Sequence, residues 1–205
     1  MRLMGITSLL FLLSQSTQAN EAPDPSKVYI KKITWAGSGC ADSTAVGSNI
    51  SADAQAFTLT FNSFSAEIGP GIPLGDRRSK CKIKVDLRIP GGWSYALFDV
   101  DYRGEVALEE GVNATFNSQY YFQSRSSDRV IFESHLQGEI FDFFQRRDTV
   151  GISDVVWSPC GKNRALNIES EVSLDTDHSD RSGAFYIDSM DGSFTQVYSI
   201  QWLKC

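Results

Sequence analysis

Apolar and polar residues alternate with a period of two along most of the chain. Cys81, Ile83, Val85, Leu87 and Ile89 alternate with Lys82, Lys84, Asp86 and Arg88. That pattern predicts a strand with one buried and one charged face. Phe57, Leu59 and Phe61 alternate with Thr58, Thr60 and Asn62 in the same way. Leu166, Ile168, Ser170, Val172 and Leu174 form another stripe, and Phe194, Tyr198, Ile200 and Trp202 share one face. Asp191-Gly192 predicts a hairpin turn between a strand over residues 184–190 and that last strand. Gly69-Pro70-Gly71, Pro90-Gly91-Gly92 and Pro159-Cys160-Gly161 punctuate the runs with turn chemistry. No window carries a long apolar stripe of helical period. Residues 128–145 are ambiguous, because Ile140, Phe141, Phe143 and Phe144 put aromatics on both faces. They read as a strand buried on both sides or as a loop folded over a sheet edge. Roughly ten strands at regular spacing predict an all-β, single-domain antiparallel β-sandwich; a jelly-roll order fits, and a closed barrel is the alternative.

The N-terminus is the exception to this alternation. Arg2 precedes an apolar run over residues 4–13, followed by polar residues and Thr17-Gln18-Ala19. This is the pattern of a secretory signal peptide over residues 1–19, cleaved after Ala19. The run is far short of the roughly 20 residues that span a bilayer. Residues 20–27 read as a flexible lead-in and residues 28–205 as the β-sandwich domain. The expected location is extracellular, with the periplasm or a cell surface as variants.

Export changes the reading of the cysteines. Cys40, Cys81, Cys160 and Cys205 are even in number, and in an oxidising compartment they predict two disulfides. Four cysteines allow three pairings. The sequential one, Cys40–Cys81 and Cys160–Cys205, closes two modest loops worth roughly 4 kcal/mol each in chain entropy and is the expectation. With no Cys-x-x-Cys and only His135 and His178, a structural zinc site has little support. The formal charge is −6, and loss of the signal removes one further positive charge, Arg2. Such a chain does not attract polyanions through its mean field, which argues against nucleic acid as a partner.

Several words, in order, carry a resemblance: Gly37-Ser38-Gly39-Cys40, Phe61-Asn62-Ser63-Phe64-Ser65-Ala66, Ile68-Gly69-Pro70-Gly71 and Arg78-Ser79-Lys80-Cys81. They continue with Gly92-Trp93, Val100-Asp101-Tyr102-Arg103-Gly104, Trp157-Ser158-Pro159-Cys160-Gly161, Leu166-Asn167-Ile168 and Trp202-Leu203-Lys204-Cys205. Over residues 28–205 the chain resembles the secreted family catalogued as domain of unknown function 4360. The resemblance implies a small exported protein of bacteria or fungi with paired cysteines. It brings no catalytic residue and no cofactor.

Candidate chemistry is sparse. Asp99, Asp101 and Arg103 alternate on one strand face, with Val100 and Tyr102 on the other. Two carboxylates beside an arginine can hydrogen-bond a sugar, or can simply be a structural ion pair. Asp175, Asp177, His178 and Asp180 crowd one turn and form a weak calcium candidate, lacking the glycine and closing glutamate of an EF-hand loop. Of Trp35, Trp93, Trp157 and Trp202, the first strand residue Trp93 is the candidate for a surface platform; the others suit core packing. There is no Gly-x-Ser-x-Gly, no free thiol once the bridges form, and no support for His135 or His178 as a general base. Asn49-Ile50-Ser51 and Asn113-Ala114-Thr115 are glycosylation sequons, relevant only in a eukaryotic secretory pathway. The first expectation is a non-enzymatic binding or envelope module for glycan or a cell-surface protein. The alternatives are a secreted carbohydrate hydrolase using a carboxylate pair from Asp99, Asp101, Glu105 or Glu109, and an effector acting on another cell.

Overall fold

The computed structural model describes residues 21–123, 127–186 and 194–205. The predicted signal peptide lies outside the described residues. Among the described residues twelve strands follow in order: β1 Tyr29–Ala36, β2 Val46–Ile50, β3 Ala56–Phe61, β4 Ala66–Ile68, β5 Arg78–Arg88 and β6 Trp93–Leu108. Then come β7 Val112–Phe122, β8 Val130–Gln137, β9 Ile140–Thr149, β10 Leu166–Thr176, β11 Gly183–Tyr186 and β12 Phe194–Lys204. Every ladder between them is antiparallel. The first sheet has the order β1-β5-β10-β7-β8.

The second sheet is organised around the long strand β6. β12 pairs with Trp93–Arg103 of β6, β11 with Glu105–Leu108, and β9 with Asp99–Leu108. A strand has two edges, so β11 and β12 occupy the same edge and β9 the other. Their far sides repeat the arrangement, with β3 along β12 and β4 along β11, and β2 outside β3. This overturns the predicted hairpin: residues 184–186 and the last strand lie end to end against β6 rather than side by side. The turn itself, Asp191-Gly192, lies outside the described residues. No ladder joins the two sheets among the described residues, so the chain is a sandwich and not a closed barrel.

The predicted stripes supply the core. Ile83, Val85 and Leu87 of β5 and Leu166, Ile168, Val172 and Leu174 of β10 face Phe57, Leu59 and Phe61 of β3 and Val100 and Tyr102 of β6. Burying each such side chain contributes about 1.5–3 kcal/mol. Tyr102 of the second sheet meets Phe116 of the first edge-on, with ring centroids 4.8 Å apart. A strip of buried polar groups ties the layers together. Gln196 donates to Ser170 Oγ at 2.8 Å, and the Tyr198 hydroxyl donates to Gln196 Oε1 at 2.7 Å. Both disulfides have the expected sequential pairing, Cys40–Cys81 and Cys160–Cys205.

The ambiguous segment resolves into two strands in different sheets, β8 and β9, with Gly138-Glu139 between them. A side chain at Gly138 would meet the carbonyl of Glu109 at 2.0 Å, so only glycine lets the chain cross here. β9 is not buried on both sides. Phe144 is buried, whereas Phe141 and Phe143 are 65% and 57% exposed.

The outer face of the first sheet is a charge ladder. Lys80 Nζ lies 3.6 Å from Glu169 and 3.4 Å from Glu171; Lys82 Nζ lies 3.4 Å from Glu169, and Arg78 Nη2 2.6 Å from Glu171. Burial pushes both carboxyl pKa values up. Lys82 and Lys80 outweigh it at Glu169, and Arg78 and Lys80 outweigh it at Glu171, so both end below the ordinary glutamate value. A pKa depressed by folding stabilises the fold above the unfolded value, and that stabilisation is lost as pH falls through the folded value. The wild-type melting temperature should therefore drop more steeply below the ordinary glutamate range than that of a Glu169→Gln, Glu171→Gln double variant. The two curves should converge at the acid end; parallel curves would refute the assignment.

Candidate functional site

The alternation of β6 turns Val100, Tyr102, Val106 and Leu108 into the core, which turns Asp99, Asp101, Arg103, Glu105 and Ala107 outward. The ladders place a neighbour on each side of every one of them. Asp99 lies between Ser199 and Thr149, Asp101 between Val197 and Arg147, and Arg103 between Thr195 and Gln145. Glu105 lies between Tyr186 and Phe143, and Ala107 between Ala184 and Phe141. The open face of the second sheet is thus five rows deep, polar at one end and aromatic at the other.

At the polar end the two aspartates are held. Arg147 donates to Asp101 through Nε at 3.0 Å and Nη2 at 2.6 Å, a two-pronged pair, and Ser199 Oγ donates to Asp99 at 2.5 Å. The arginine that pairs Asp101 comes from β9, the ambiguous segment, and not from Arg103, which is exposed.

At the aromatic end Phe141 and Phe143 of β9 stand across β6 from Tyr186 of β11, itself 40% exposed. Ala107 and Ala184, directly paired, leave a low floor. A trough of about 290 Å³ opens over it, with Phe141 and Tyr186 as walls and Glu67, Glu109 and the Gly69-Pro70 turn around the rim. Glu109 Oε2 accepts from the backbone N–H of Ser182 at 2.9 Å, which fixes that carboxylate. Partial burial raises the pKa of the Tyr186 hydroxyl, and the charges of Glu67 and Glu105 raise it further, so both carboxylates act on that hydroxyl. Isolated exposed apolar side chains are ordinary, but three aromatics in adjacent rows of one face form a patch.

Trp93 is not part of this face. Phe98 is an extra residue in β6, a bulge opposite Ser199 and Ile200, and beyond it the faces exchange. Trp93 therefore shares the inward side of Tyr95 and Leu97 and is half-buried. Trp202 packs against Tyr95 and donates to the carbonyl of Ala54 at 3.0 Å; Trp35 donates to that of Asp42 at 2.9 Å. Trp157 lines a separate cleft between the β8 and β9 edges. In the acidic turn Asp175 accepts from Asn113 at 3.3 Å, and the backbone N–H of His178 donates to Thr176. No three metal-ligating side chains converge there or elsewhere among the described residues. His135 lies on the outer face of the first sheet beside Glu133, 2.8 Å away.

These features define a disulfide-bridged antiparallel β-sandwich with one open, aromatic-edged sheet face. The chain belongs to the family described as Domain of unknown function (DUF4360), whose model matches residues 26–205. It is 40% identical over 184 residues to a protein of Arthroderma benhamiae named an uncharacterized secreted protein, covering 90% of this chain and 74% of the relative. Among solved structures it is similar to the carbohydrate-binding module TmCBM61 in complex with β-1,4-galactotriose, at 9% identity and a TM-score of 0.29, covering 85% and 90% of the two chains. It is also similar to a family 16 carbohydrate-binding module, at 10% identity and a TM-score of 0.23, covering 79% and 87%.

Proposed function

We propose that the protein is an exported, non-enzymatic module that binds glycan on the open face of the second sheet. The observation that carries this is the exposed aromatic set Phe141, Phe143 and Tyr186 flanking the acidic row of β6. Sugar rings present an apolar C–H face and a rim of hydroxyls. Aromatic rings standing above a short-side-chain floor accept the first, and carboxylates at their feet accept hydrogen bonds from the second. Export is supported by the two disulfides, which need an oxidising compartment, and agrees with the name of the Arthroderma benhamiae relative.

The test is a glycan array probed with the secreted protein and with a Phe141→Ala, Tyr186→Ala double variant. Binding should appear for a group of related glycans, and the double variant should bind at least tenfold more weakly, a loss of about 1.4 kcal/mol. A blank array, or binding untouched by the double change, overturns the proposal. Release of new reducing ends from a bound glycan would replace it with the hydrolase reading.

A further inference from the structure

The charges around the trough say more than that a sugar binds. Two carboxylates, Glu67 and Glu109, line it, and among the described residues no lysine, arginine or histidine does. A third, Glu105, stands one row away between Tyr186 and Phe143. The nearest basic residue of the described face, Arg103, stands in the middle row beyond Glu105, two rows from the trough floor, and Arg147 farther along is already bound to Asp101. The aromatic walls reinforce this asymmetry, because the face of a π-system attracts cations.

Resting on the glycan reading, we infer that the ligand is a cationic glycan: a chain of amino sugars with free amines. The ring stacks between Phe141 and Tyr186, and its ammonium group donates to Glu67. An ammonium in such a place gains a charge-assisted hydrogen bond and a cation–π contact together. A neutral ring keeps only the stacking and ordinary hydrogen bonds. An acidic sugar meets repulsion from three carboxylates, in a chain already at −6. Charge complementarity therefore selects the occupant of an otherwise generic aromatic trough.

The experiment is titration calorimetry of the secreted protein with a fully deacetylated glucosamine hexamer and its fully N-acetylated counterpart. These differ in the amines and not in the linkage or ring. The deacetylated chain should bind at least tenfold more tightly at low salt, and the margin should shrink as salt rises. Glu67→Gln should bring the two affinities together while the melting temperature stays unchanged. Equal or tighter binding of the acetylated chain overturns the inference and leaves glycan binding standing. Binding of neither chain overturns the inference too; together with a blank array it removes the parent proposal as well.

Discussion

A chain carrying Cys40→Ser and Cys81→Ser together is expected to lose about 4 kcal/mol of stability, a large part of the roughly 5–15 kcal/mol margin of a folded domain. The bridge closes a loop of 41 residues, and that loop contains three short strands of the second sheet. β2, β3 and β4 are short, three to six residues each, and together they form its far border. Cys81 lies in β5, an interior strand of the first sheet, so the bridge fastens the start of that border to the other layer. Both half-cystines are buried, at 1% and 0% exposure. Serine hydroxyls at those places would be left among apolar neighbours, adding a desolvation penalty to the lost chain constraint. Urea unfolding of the oxidised wild type against the double variant measures the difference. A loss under about 1 kcal/mol would mean that the border strands hold without the bridge.

The architecture was largely legible because burial on one face writes itself into a period of two. β3, β5 and β10 could be read residue by residue. What could not be read was set by geometry that leaves the local pattern intact. The extra residue at Phe98 exchanges the two faces of β6, so counting by twos from Asp99 puts Trp93 outward when it is turned in. End-to-end strands and hairpin partners have the same alternation, so β11 and β12 looked like a hairpin around Asp191-Gly192. The acidic row of β6 was found from its sequence. Its partners were not, since Arg147, Phe141 and Phe143 arrive from β9 through a long-range ladder that no spacing within β6 encodes. The aromatic excess in residues 140–144 was the available signal, and its exposure was the missing fact.

The last expectation separates the aromatics of β9 by what they are for. Phe144→Ala is expected to cost about 3 kcal/mol, the low end for a buried phenylalanine, because β9 is an edge strand that can partly close the gap. Its ring is 7% exposed and lies 5.9 Å from that of Phe185 in the core. Phe141→Ala and Phe143→Ala, three residues and one residue away, should each stay within about 0.5 kcal/mol of wild type. Their rings lie mostly in solvent, so truncation removes little buried area. Thermal or urea unfolding of the three single variants decides the matter. A destabilisation by Phe141→Ala or Phe143→Ala comparable to that of Phe144→Ala would show that the outer rings pack against one another to hold the edge strand. The glycan reading would then lose its main observation. If the outer rings contribute nothing to stability, the chain exposes two phenylalanines in adjacent rows at no structural gain. On an exported protein such a patch invites aggregation unless something covers it, and the trough between Phe141 and Tyr186 is where a ligand would do so.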